Sequence, residues 1–196
     1  EGALKAATAF YRRSGVYPHQ VTALPGDAGE ARSSGGHTDL FKLFLERFHS
    51  MLRRGGHAGV LVPAALNATE GCTGLRQMLL TAARLRALYV FENHLRKFFP
   101  IDSRFKFAAL VFANDARGTE AFDAAFMVRD EGFLRNPRPV RLSRRFVELV
   151  SPAYLSFIEV HSERERELVE RLYRAFPRLG DKRDGGWNVS FCQEVN

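Results

Sequence analysis

Residues 38–63, TDLFKLFLERFHSMLRRGGHAGVLVP, constrain this chain more than any other stretch. Leu40, Phe41, Phe44, Leu45, Phe48, Met51 and Leu52 recur at three- and four-residue intervals, the pattern of a helix with one wide apolar face. Thr38 or Asp39 supplies a cap, Arg53 and Arg54 suit the last turn, and Gly55-Gly56 end the helix in a left-handed turn. Gly59 to Val62 then reads as a short apolar strand of the kind buried on both faces of a parallel sheet, broken by Pro63. In an open α/β sheet, ligands lie beyond the carboxyl ends of the strands, so the residues after Val62 are where chemistry is expected.

The next elements continue the same grammar. Gly74 leads into a second helix, expected to run to about Leu85, and Ala87–Phe91 and Phe105–Phe112 read as strands. The loop between those strands, His94 to Arg104, reads as polar and aromatic with no helix in it, so the two strands are expected to pair antiparallel. Helix–strand–helix–strand–loop–strand is the second half of a doubly wound sheet, and the fold class is α/β.

The flanks are less regular. Residues 1–13 read as the end of a helix and residues 16–38 as a long connection rich in Gly, Pro and Ser. Beyond Asn114, Phe122–Val128 and Val140–Leu142 are strand candidates, and Ser143 caps a short helix to about Val150. Ser162 with Glu165 forms a capping box for a helix to about Ala175, and Trp187–Phe191 is a last strand candidate. The chain divides into residues 1–37, a helix end and insertion; 38–118, the α/β unit; and 119–196, a mixed α+β connector.

Charge is uneven. Residues 39–118 hold 12 Lys or Arg against 6 Asp or Glu, while the remainder is nearly balanced, so the net +7 is concentrated in the α/β unit. A polyanionic partner such as nucleic acid is compatible with this, and so is a simple abundance of arginine. Cys72 and Cys192 form no metal or disulfide pattern, which suits a reducing cytosol, and no apolar run reaches membrane-spanning length. No phosphate-binding P-loop, HExxH or GxSxG motif is present. The histidines at 37, 49, 57, 94 and 161 lack metal-ligand spacing, and His49 and His57 are expected to be structural; no metal is expected. Glu92 and Asp102 are the nearest approach to a carboxylate pair, with nothing in their spacing to join them.

Three features fall on the expected carboxyl edge: Val62-Pro63, Phe91-Glu92-Asn93, and Phe98-Phe99-Pro100 in a loop with Arg96, Lys97, Arg104 and Lys106. Aromatic rings among cations can stack bases while the cations neutralise phosphates. The alternative is that Phe98 and Phe99 plug the core.

The ordered run DLFKLFLERF…GGHAGVLVP, LRQMLL, FEN…FFP and FKFAALVF, over about residues 38–114, resembles the later half of adenine-specific DNA methyltransferases. It is most similar to the large type IIG restriction–modification and phage-exclusion (BREX) enzymes. Residues 120–196 more loosely resemble the segment leading from their catalytic domain toward target recognition. The resemblance implies the distal half of a Rossmann-like domain that transfers a methyl group from S-adenosylmethionine to an adenine flipped out of duplex DNA. It implies that Phe44 lies against the cofactor's adenine ring and that Phe99, with Pro100, stacks on the flipped base. Val62 and Pro63 then border the base pocket, and Arg96, Lys97, Arg104 and Lys106 face the DNA backbone. No catalytic residue is assigned here, because the family's Gly-rich cofactor loop and Asn-Pro-Pro-aromatic tetrapeptide do not occur in these 196 residues. The chain is therefore expected to be part of a longer prokaryotic cytoplasmic polypeptide and inactive alone. The rival readings are a non-catalytic basic module that binds nucleic acid and a fragment of an RNA methyltransferase.

Overall fold

The computed structural model describes residues 39–181 and 185–189. Helix α1 (Leu40–Met51) leads into β1 (His57–Pro63); two short 3-10 turns and α2 (Thr73–Thr81) lead into β2 (Arg84–Glu92). Strands β3 (Lys106–Ala113), β4 (Ala121–Val128) and β5 (Val140–Ser143) follow, then α3 (Arg144–Val150) and α4 (Glu163–Ala175). The five strands form one sheet in the order β1-β3-β2-β4-β5. β3 runs antiparallel to both neighbours, β4 is parallel to β2, and β5 is antiparallel to β4. The class is α/β, and β1, β2 and β4 all end at the same edge.

One face of the sheet carries the main core. Val62, Leu88, Val90, Ala108, Leu110, Phe112, Phe122 and Leu142 meet Leu45 of α1, Leu75 and Leu79 of α2, and Phe146 and Val147 of α3. Phe157 and Val160, beyond α3, belong to the same cluster, so residues 121–160 extend the sheet and core of the preceding unit. The opposite face holds a smaller cluster of Phe91, Ala125 and Val128 with Phe98, Phe107 and Phe133. Toward β1 this second face is open among the described residues: Leu61 is 61% exposed. The strand Gly59–Val62 thus alternates rather than being buried on both sides.

Several local expectations are met and some are corrected. β2 and β3 pair antiparallel, as expected of two strands joined without a helix. Ser143 accepts a hydrogen bond from the Phe146 N–H, and Ser162 from the Glu165 N–H, so both caps form. In the capping box, Glu165 reaches back one residue further, to the His161 N–H at 2.7 Å. α1 ends at Met51, so Arg53 and Arg54 lie outside it; the Asn114 side chain takes the Leu52 carbonyl at 2.7 Å, and Gly55, at φ +75°, turns the chain into β1. α2 stops at Thr81 rather than near Leu85. The Thr119 hydroxyl, far along the chain, donates toward the carbonyls of Leu79 (2.7 Å) and Ala83 (3.3 Å) and accepts from the Leu85 N–H at 2.7 Å. That hydroxyl closes the helix and opens the strand. Residues 187–189 are not in a strand, and the rest of that candidate, like the expected helix and insertion of residues 1–38, lies outside the described residues.

Candidate functional site

The common carboxyl edge of β1, β2 and β4 is organised by Phe107 at the start of β3. Pro63 pairs with it across β1–β3 and Phe91 across β2–β3, which sets Pro63, Phe107 and Phe91 in one row over three strands. Phe91 and Phe107 stack with centroids 5.2 Å apart. Phe98 meets both rings edge-on, at 5.5 and 5.4 Å, and belongs to the smaller core cluster. Among the described aromatic rings Phe99 meets Phe107, edge-on at 4.9 Å, and it remains 37% exposed with Pro100 exposed beside it. The two neighbouring phenylalanines therefore divide the roles left open by sequence: Phe98 fills the core and Phe99 presents a ring at the edge. Val62 is buried in the helix-side core, whereas Pro63 joins the aromatic row. Phe107 is thus the neighbour that Pro63 and Phe99 share, whereas Val62 faces the other side of the sheet.

Asn93 holds this loop. Its side chain is fully buried at the end of β2. Oδ1 accepts from the N–H groups of Phe98 (3.1 Å) and Phe99 (3.0 Å), and Nδ2 donates to the Phe99 carbonyl at 2.9 Å. A buried amide that satisfies three backbone groups fixes where the Phe99 ring leaves the surface. Leu95 and Arg96 both take left-handed backbone angles, φ +56° and +58°, a costly conformation for side-chain-bearing residues. The loop's tight path is held against that cost by Asn93.

The expected backbone-facing cations are mostly engaged with carboxylates. Lys97 contacts Asp130 at 2.6 Å and Glu131 at 3.0 Å; Arg104 forks onto Asp102, closest at 2.6 Å. Lys106 contacts Glu92 at 3.3 Å and Glu159 at 3.7 Å. Arg96 has no ion pair among the described residues. Glu92 is a hub, since Arg129 at the end of β4 also binds it at 2.8 Å. The Arg129 hydrogen bond, and then that of Lys106, hold the Glu92 carboxyl below its ordinary range. The Arg104 hydrogen bond does the same to Asp102, while Asp130 and Glu131 raise Lys97. Glu92 and Asp102 do not form a pair.

The loop after β1 is fixed from below by Arg76 of α2. This guanidinium is fully buried, and no carboxylate is among its hydrogen-bond partners. It donates to the carbonyls of Leu66 (2.8 Å), Thr69 (2.9 Å) and Tyr154 (2.7 and 3.0 Å) and to the Thr73 hydroxyl (3.1 Å). Burial pushes Arg76 down to about 10. Neither Arg76 nor Asn93 was assigned a role from sequence. The available signals were a cation inside the apolar run Leu75–Leu80 and a lone amide just past a strand.

α1 presents two apolar stripes rather than one. Phe41, Leu45 and Leu52 pack on the core, whereas Leu40, Phe44, Phe48 and Met51 point outward, with Phe44 55% exposed and stacked on Phe48 at 6.0 Å. His49 contacts the Ala82 carbonyl at 3.1 Å.

No protein-family model matches the chain, and no curated protein matches its sequence. Solved structures with partial similarity include the type I restriction enzyme EcoKI M protein, at 12% identity and TM-score 0.47, over 72% of this chain and 44% of that one. A modification subunit of a type I restriction enzyme from Vibrio vulnificus YJ016 gives 16% and 0.43, over 74% and 35%. A chain of a type I restriction–modification assembly gives 16% and 0.38, over 79% and 28%. The chain spans less than half the length of each.

Proposed function

We propose that this chain is the distal half of the catalytic domain of a site-specific DNA adenine methyltransferase of the restriction–modification or phage-defence kind. The observation that carries the reading is the Phe99 ring, held outward at the carboxyl edge by Asn93 and flanked by Pro63 and Phe107. A ring exposed there can stack on a base removed from the duplex, and base–aromatic stacking contributes about 1–3 kcal/mol. The ordered motifs over residues 38–114 support the same reading. Phe44 and Phe48 offer an aromatic face that fits an adenine ring, so Phe44 is the residue of this chain that would border S-adenosylmethionine. When bound, that cofactor supplies the methyl group that passes to the exocyclic amine of adenine as the amine loses a proton. Phe99 and Pro100 orient the base, and Pro63 borders it. The groups that hold the rest of the cofactor and grip the amine belong to the remainder of the parent polypeptide, on which activity depends.

A purely basic binding module is disfavoured, because Lys97, Arg104 and Lys106 are each engaged by a carboxylate. Phe99→Ala in the parent enzyme tests the reading. Methylation of duplex DNA and the fluorescence rise of 2-aminopurine at the target position should both fall about tenfold or more, with cofactor affinity within twofold of wild type. An equal loss of cofactor affinity overturns the stacking role, and methylation of RNA in preference to duplex DNA overturns the substrate.

A further inference from the structure

A second concavity lies along the same edge, at the carboxyl end of β4. It has a volume of about 330 Å³, with Val128, Val140 and Val160 in its floor and Arg129, Arg138 and His161 around its rim. β4 carries a bulge here: the pairing with β2 shifts between Tyr89 and Phe91, and Met127 sits at φ +56°. A left-handed methionine in a strand is a strained arrangement that re-aims the chain end, and such bulges gather beside binding sites.

Two arginines, Arg129 and Arg138, stand against one carboxylate, Asp130, in the lining of the cleft. Its lining carboxylate, Asp130, is turned to Lys97 at 2.6 Å and to the Gly132 N–H at 2.6 Å. Arg129 is held at the rim by Glu92, whereas Arg138 has no carboxylate partner among the described residues. The start of α4 nearby is already engaged, with Ser162, Glu163 and Glu165 accepting from Glu165, Arg141 and His161 N–H groups. The side chains of Arg138 and His161, not the helix end, are what remain to meet an anion. An apolar floor under a cationic rim fits a phosphodiester, with the sugar on the valines and the phosphate at the rim.

We infer that this cleft seats a backbone phosphate of duplex DNA, contacted by Arg138 and His161. The inference rests on the DNA-facing reading above and moves the principal backbone contact away from the paired cations Lys97, Arg104 and Lys106. Glu92 joins the two places, binding Arg129 at the cleft and Lys106 beside the aromatic row.

The test is fluorescence anisotropy of a labelled duplex oligonucleotide with the parent polypeptide at about 25–200 mM salt. Wild type is compared with Arg138→Gln, with the Arg138→Gln/His161→Gln double variant, and with Arg164→Gln on exposed α4 as a control. Arg138→Gln should weaken binding about tenfold at the lowest salt and flatten the slope of log affinity against log salt by about 0.9, one phosphate contact. The double variant should lose more, and the control should stay within twofold. Wild-type affinity and slope in the double variant overturn the inference, as do an equal loss in Arg164→Gln or a preference for single-stranded RNA. In the parent enzyme the two readings separate. Methylation with an unchanged KM for DNA in Arg138→Gln sinks the cleft alone. Arg138-dependent DNA binding without any methylation sinks the methyltransferase reading and leaves the cleft standing.

Discussion

The two loops that flank the aromatic row are held by opposite means. The loop after β1 rests on a buried cation, Arg76, satisfied by carbonyl oxygens. The loop after β2 rests on a buried neutral amide, Asn93, within an outer ring of exposed ion pairs. A charge taken out of water must be fully coordinated or it destabilises the fold, so the first loop is tied to the global core. An amide costs less to bury, and surface ion pairs contribute little, so the second loop can open without the sheet. The difference assigns different tasks. The first loop is scaffold, and the second, which carries the Phe99 ring, is the one able to yield to a ligand.

The sharpest break is at Arg76. Arg76→Ala removes the clamp joining Leu66, Thr69 and Tyr154 and leaves their carbonyls unsatisfied, which should cost about 3 kcal/mol or more in denaturant unfolding. Arg76→Lys should recover only part of this, since one ammonium cannot match the planar fork that spans Leu66 and Tyr154. A loss below about 1 kcal/mol for the alanine variant would make the two loops equivalent. Asn93→Ala strands the Phe98 and Phe99 N–H groups and should cost about 3 kcal/mol or less. Hydrogen exchange should then rise over residues 93–105 while β1 and α2 stay protected. Uniform exchange across the domain would contradict the separation.

Next in size is the contrast within one dipeptide. Phe98→Ala vacates a place against Phe91 and Phe107 and should cost about 2 kcal/mol, less than a fully buried phenylalanine. Phe99→Ala should cost under about 1 kcal/mol, because its ring has one aromatic neighbour and faces solvent. Comparable losses at the two positions would return Phe99 to the core.

Much of this architecture can be read from spacing alone. α1, β1, β2, β3 and the caps at Ser143 and Ser162 follow from periodicity and capping chemistry, which are local. What escapes is tertiary. The early stop of α2 depends on Thr119, 38 residues beyond Thr81. Arg76, inside LRQMLL, reads as the polar side of an amphipathic helix until the Leu66 and Tyr154 carbonyls converge on it. The insertion of β3 between β1 and β2 is a pairing choice that short apolar strands do not specify. Lys97 and Lys106 look like free cations because Asp130 and Glu159 lie far away in sequence. At the candidate site, spacing places Val62-Pro63 and the Phe98-Phe99 pair after strands, the choice of Phe99 rested on the resemblance alone, and the separation of Phe98 from Phe99 depends on Asn93.

The smallest effect concerns the ring of ion pairs, and its sign follows from the carboxylates. Glu92, Asp102, Asp130 and Glu131 are held below their ordinary values by cation or backbone hydrogen bonds. A carboxyl whose folded value lies below its unfolded one, about 3.9 for Asp and 4.3 for Glu, binds fewer protons when folded. Its contribution is complete above that range and is lost as pH falls through the folded value. Between pH 7 and 5, the order of residues 93–105 should therefore not change, and below about pH 4 the loop should loosen before the sheet does. These pairs are largely exposed, so molar salt should produce a weaker version of the same loosening. Hydrogen exchange at Phe98 and Phe99, set against Leu66 and Thr69, measures both effects. Equal acid sensitivity in the two loops would mean that the ion pairs add nothing to the difference between them and that Asn93 and Arg76 set it alone.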